Sequence, residues 1–154
     1  WVNCSGLFAE GEAAQVAASA LVYLREEGGG LVEQWRTSTS ESMGSPVAFS
    51  IAPVGPHQAI FTVFGSLTAA TPDRLLWADA QQRTVRELGV QGSAFELGDL
   101  LFIEASGVLL LADANPEAPL IRRFEVGEGE LQELDPVSGS PATGLPPRSL
   151  QRFR

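Results

Sequence analysis

From Leu31 onward the chain is cut into short apolar segments, none longer than a β-strand, by clusters of Gly, Pro, Asp and Asn. No other feature limits the possible folds as strongly. Short runs of Val, Ile, Leu and Phe bounded by turn residues read as strands. The spacing predicts strands over Leu31 to Thr37, Pro46 to Ala52, Ala59 to Gly65, Arg74 to Ala78 and Thr84 to Val90. It predicts further ones over Leu100 to Ala105, Val108 to Ala112, Leu120 to Val126 and Glu130 to Leu134. Thr84 to Leu88 alternates polar and apolar residues, as a half-exposed strand does. Val54-Gly55-Pro56-His57, Asp113-Ala114-Asn115-Pro116 and Gly127-Glu128-Gly129 read as turns. Connections this short imply an antiparallel meander, because parallel strands need long crossovers.

Ahead of these segments, Phe8 to Glu27 reads as a helix. Ala13, Val16, Ala17, Ala20, Leu21 and Leu24 recur at offsets of three and four, on one face. Gly28-Gly29-Gly30 supplies the stop expected at a helix C-terminus. The fold class expected is therefore α+β, mainly β, with an N-terminal helix packed on antiparallel sheets of about nine short strands. A single globular domain over 1–135 is expected. It is followed by a Pro, Gly and Ser-rich extended segment over 136–154.

Two sets of segments resemble each other. Ala59 to Val63, Leu75 to Ala80 and Arg83 to Leu88 form one set; Leu100 to Ile103, Leu109 to Ala114 and Leu120 to Phe124 form the other. Both contain Leu-x-Ala-Asp-Ala, followed by an arginine-bearing strand. The pattern resembles bacterial β-propeller repeats, which implies the alternative class: a partial propeller-like, all-β repeat that binds a protein or small ligand. A second resemblance rests on the order of elements. Ala13-Ala14-Gln15-Val16-Ala17-Ala18 to Leu24-Arg25-Glu26-Glu27, followed by strands carrying Phe49, Phe61 and Leu75-Leu76-Trp77, is similar to the globular part of bacterial minor pilins and pseudopilins. That resemblance implies a structural subunit of the cell envelope or a surface appendage, partnered by protein subunits in a homo- or hetero-assembly. It also implies a place outside the cytoplasm. The family's glutamate within a hydrophobic N-terminal stretch is not in this chain.

Composition narrows the chemistry. With 44% hydrophobic and 19% charged residues among 154, the chain has the balance of a globular domain with a real core. Its net charge of −9 opposes binding to phosphate backbones, so no nucleic-acid partner is expected. No run reaches the length needed to span a bilayer. The chain begins at Trp1, so processing or cutting from a longer chain is expected, and membrane attachment would go only through an upstream anchor. Charge is uneven: Glu125, Glu128, Glu130, Glu133 and Asp135 form an acidic run, while Arg148, Arg152 and Arg154 make the tail basic. The two read as a solvated strand pair plus a tail; the alternative is a docking tail for an acidic neighbour.

All ten positive charges are arginine. Without lysine there is no phosphate-loop lysine and no Schiff base. Cys4 stands alone, so no internal disulfide forms. His57 is the only histidine, and one His with one distant Cys does not make a zinc site. A carboxylate pair is the remaining route to catalysis, as a hydrolase. Asp79 and Asp113, each after an apolar strand, are the candidates; the competing reading is that both cap turns. Trp1, Trp35 and Trp77 read as core or sheet-face residues rather than a sugar platform. The expectation is a non-catalytic chain with no catalytic, metal or cofactor residue.

Overall fold

In the computed structural model, which describes residues 1–6, 8–38, 44–138 and 146–151, almost all regular structure is β. The helix expected over Phe8 to Glu27 is the main correction. Only Glu12–Ala18 is helical (α1). Ala20–Glu27 is a strand (β2), flanked by β1 (Val2–Cys4) and β3 (Gly30–Ser38). Ala20, Leu21, Val22 and Tyr23 are buried one after another. A surface helix buries one stripe of its residues, whereas a strand with both faces covered buries consecutive ones. The glycines that suggested a helix stop form a hairpin instead. Gly28 (φ 61°) and Gly29 (φ 82°) both take the left-handed conformation that a two-residue type I′ turn requires. A helix packed on a sheet is thus replaced by three antiparallel sheets.

The remaining strands are β4 (Val47–Pro53), β5 (Gln58–Val63), β6 (Asp73–Asp79), β7 (Thr84–Gly92), β8 (Leu97–Ile103), β9 (Val108–Asp113), β10 (Leu120–Val126) and β11 (Leu131–Ser138). Each segment expected after Leu31 falls on one of β3 to β11, with ends shifted by a few residues. Strand order follows chain order. The first sheet is β1-β2-β3, the second β4-β5-β6-β7, the third β8-β9-β10-β11, and every pairing is antiparallel. The second and third sheets are therefore a structural repeat. The sequence likeness is displaced from it by one strand. Leu75 to Ala80 lies in and just after β6, the third strand of its sheet, and Leu109 to Ala114 lies on β9, the second of its own.

The sheets stack face to face. Alternate residues of the middle sheet point opposite ways, so β5 and β6 serve two cores. Ile60, Leu75 and Trp77 pack with Leu97, Leu100, Leu109, Leu111 and Phe124 of the third sheet. Phe61, Val63, Leu76 and Ala78 pack with Leu21 of the first, and Trp1 and Trp35 adjoin them. Burying each such side chain contributes about 1.5–3 kcal/mol. That two-sided burial explains why β5 and β6 read as continuous apolar runs.

First strands lie side by side. β4 packs along β8, and β1 lies against β4, with Asn3 Nδ2 donating to Ala48 O at 3.1 Å. The end of the stack where β4 and β8 begin is called the upper end. Its connections include 5–19, 64–72, 93–96 and 114–119, and the lower end has the tight hairpins at 28–29, 80–83, 104–107 and 127–130.

Candidate functional site

The upper end carries a cleft of about 430 Å³ between the starts of β4 and β8. Ala48 and Ser50 of β4 form one wall, and Leu97 and Asp99 of β8 the other. Phe64 and Phe95 close it, their ring centroids 5.0 Å apart. Arg148 lies at its edge. An apolar concavity of this size with a few convergent polar groups is the usual form of a binding site. A separate, shallower groove of about 540 Å³ is lined by Ser66, Leu67, Thr71 and Pro72. Leu67 in this groove and Phe95 in the cleft are exposed, at 77% and 43% of their full area.

Asp73 holds the cleft's shape. It is 1% exposed, at the start of β6. Its Oδ1 accepts from Gly65 N at 2.6 Å and Phe95 N at 2.9 Å, and its Oδ2 from Leu97 N at 2.9 Å. One carboxylate therefore joins the end of β5 and the linker into β8. A buried carboxylate is tolerated when backbone N–H groups satisfy it in this way. Phe95 has φ 66°, an uncommon conformation for a bulky residue. The Asp73 bond on its N–H and the Arg148 bond on its carbonyl, at 3.0 Å, hold it there. Strain of this kind concentrates at functional sites.

Asp99 is the second polar anchor. Residues 98 and 99 stand opposite the single position Ala112 of β9, in a register shift. The Ser50 hydroxyl donates to Asp99 Oδ1 at 2.6 Å, while Ser50 Oγ accepts from Leu100 N at 2.7 Å. On its other side, Asp99 Oδ2 accepts from Leu150 N at 3.1 Å and from the Ser149 hydroxyl at 3.4 Å. These bonds occupy the carboxylate. Arg148, an exposed residue, also lines the cleft, its Nη1 donating to Phe95 O at 3.0 Å.

The residues singled out from the sequence lie elsewhere. Asp79 and Asp113 do not meet: Asp79 ends β6 at the lower end, and Asp113 ends β9 at the upper end. Each caps its turn. Asp79 Oδ1 accepts from Gln81 N and Gln82 N, both at 2.8 Å, and its Oδ2 from Gln58 Nε2 at 3.0 Å. Burial alone would raise its pKa; the bonds from Gln82, Gln58 and Gln81, with the field of His57, outweigh it and hold the carboxyl below its usual range. At Asp113 burial prevails and raises the pKa, against the Asn115 N–H and Arg122, whose Nη1 is 3.8 Å away. His57 sits in the β4–β5 turn, its Nδ1 2.9 Å from the Tyr23 hydroxyl. With the phenol proton given to Pro56 O at 3.0 Å, Nδ1 is the donor in that contact.

Trp77 is buried under Arg86, and Trp1 packs between Tyr23 and Trp35. Glu125, Glu128, Glu130, Glu133 and Asp135 line the exposed β10–β11 hairpin, where Glu133 pairs with Arg122 at 2.8 Å. Arg152 and Arg154 lie outside the described residues. Among the described residues no group of three His, Cys, Asp or Glu side chains could hold a metal ion, and no helix is long and apolar enough to cross a membrane. Sequence reading missed Asp73, Asp99 and Phe95. Asp73 follows Pro72 at a strand start and looks like one more turn aspartate; only its three backbone partners from distant segments distinguish it.

No protein-family model matches the chain, and no curated protein matches it significantly.

Proposed function

We propose that the chain is a non-catalytic binding module of the propeller-repeat type, with its ligand site at the upper-end cleft. Sheets that follow one another in the chain stack face to face, and their first strands share one row, as repeat modules of this kind are built. The observation that carries the site is Phe95, held in a left-handed conformation by Asp73 over an apolar cleft. The cleft's chemistry favours a ligand with an aromatic or aliphatic body and an anionic group. The body would stack on Phe64 and Phe95, and the anion would meet Arg148. The pilin-like reading needed a long helix on a sheet, which the fold does not supply.

Amide-resolved NMR titration with a panel of aryl and alkyl carboxylates tests this. Shifts are expected at Ser50, Phe95, Leu97 and Gly98, and they should be abolished in Phe95→Ala. Absence of shifts at these amides with every panel member, or the same shifts in Phe95→Ala, would overturn the assignment.

A further inference from the structure

Both faces of the third sheet are apolar. Leu100, Leu109, Leu111 and Phe124 turn toward the middle sheet, so their neighbours along each strand turn the other way. On that outer face the registers of β8 to β11 align two rows. In the upper row Leu101 stands opposite Leu110, Leu110 opposite Arg123, and Arg123 opposite Leu134. The lower row, two residues further along each strand, runs Ile103, Val108, Glu125, Gln132.

An antiparallel sheet with one face on a core normally carries polar residues on the other. Here the two rows hold five aliphatic side chains, all half-buried, and the other two sheets lie on the inner side. An apolar surface rimmed by polar groups marks a contact surface. The two charges on it are of opposite sign and two residues apart on β10. Among the described residues neither forms an ion pair within the chain, and Arg123 Nη1 donates to Asp135 O at 3.3 Å.

We infer that this face packs on the same face of a second copy of the chain. The two-fold axis runs across the strands, between the rows. Such an axis inverts position along a strand and keeps position across the sheet. Each upper-row residue therefore lies over the lower-row residue of the same strand in the other copy. Leu101 meets Ile103, Leu110 meets Val108 and Leu134 meets Gln132, while Arg123 meets Glu125, and every match is made twice. Two charges that would oppose burial singly become a reciprocal pair. Packed sheets cross at about −30°, which displaces these matches least at the centre of the face, on β9 and β10. An aliphatic strip beside one cation and one anion is thus its own complement. Four strands about 4.8 Å apart make the face roughly 20 Å wide. Pairing removes on the order of 1,000 Å² from water, the lower limit of a specific interface, so a Kd of about 10 μM is expected.

Sedimentation equilibrium of the full chain, from about 1 to 500 μM, reads the association directly. The mass should rise toward twice 16.4 kDa. Arg123→Glu and Glu125→Arg each set like charges against one another and should weaken association at least about tenfold. Both variants should keep the circular dichroism spectrum of the parent chain. Mixed in equal amounts, the two variants should associate again, because each then meets the opposite charge twice. Glu117→Arg makes the same change in net charge as Glu125→Arg but lies in the β9–β10 connection, and it should leave the dimer intact. A monomer over the whole range would overturn the inference. So would a dimer that either single charge change leaves unaffected, or a mixture of the two variants that stays monomeric.

Discussion

The two faces of the middle sheet are held by different means. Toward the third sheet the contact is mainly aliphatic, with Leu97, Leu100, Leu109 and Leu111 around Trp77, and it is clamped by the Asp73 carboxylate and the Ser50–Asp99 pair. Toward the first sheet the contact is aromatic at its lower part, where Trp1, Tyr23 and Trp35 meet, and Ser19, Asn3 and Tyr23 make its polar links. The difference separates two roles. Apolar burial is non-directional and sets how firmly sheets adhere. Polar links are directional and set which strand end meets which.

The strongest way to break the comparison is Asp73→Ala. It leaves the N–H groups of Gly65, Phe95 and Leu97 without an acceptor and should cost about 4 kcal/mol by urea denaturation. A loss below about 1 kcal/mol would show that the clamp is incidental. Next in size are Leu109→Ala and Leu21→Ala, one in each core and both fully buried. Each should cost about 3 kcal/mol. If the apolar part is non-directional, the two values should agree within about 1 kcal/mol, and a large disparity would mean that one interface carries the fold. Tyr23→Phe removes the link to Pro56 and His57 and should cost about 1 kcal/mol.

Thr62 works in the opposite direction. It is 1% exposed, and its Oγ1 has no partner among the described residues. Thr62→Val should stabilise the chain by about 1 kcal/mol, visible as a raised Tm. The smallest effect is the acid response of Asp79. Its folded pKa lies below the ordinary 3.8. The stability it adds is therefore present above 3.8 and lost as pH falls through the folded value. Asp79→Asn should flatten that part of the stability curve, whereas Asp113→Asn should not, since the Asp113 pKa moves upward.

How much of this was legible varies by element. Strands from Leu31 onward were readable because turn residues and strand-length apolar runs act locally. The helix over Phe8 to Glu27 was misread because Ala20 to Leu24 satisfies a helical stripe as well as a doubly buried strand. Neighbouring strands decide between the two, and they come from both Val2–Cys4 and Gly30–Ser38. The Leu-x-Ala-Asp-Ala likeness was real as text and misleading as geometry. Similar residues at Asp79 and Asp113 stand at opposite ends of the stack, and their carboxyls shift in opposite directions. The cleft could not be read at all. Phe64, Asp73, Phe95, Asp99 and Arg148 are scattered along the chain, and no local pattern links them.

By itself the sequence determined a chain of short antiparallel strands. It also determined an acidic surface and a chemistry without lysine, a disulfide or a histidine cluster. These follow from composition and from interactions between residues close in the chain. Tertiary structure alone decided that the strands form three stacked sheets and that Asp73 and Asp99 serve as anchors. Those outcomes depend on which surfaces meet. Apolar burial rewards any close contact, so the choice falls to hydrogen bonds between groups that only folding brings within reach.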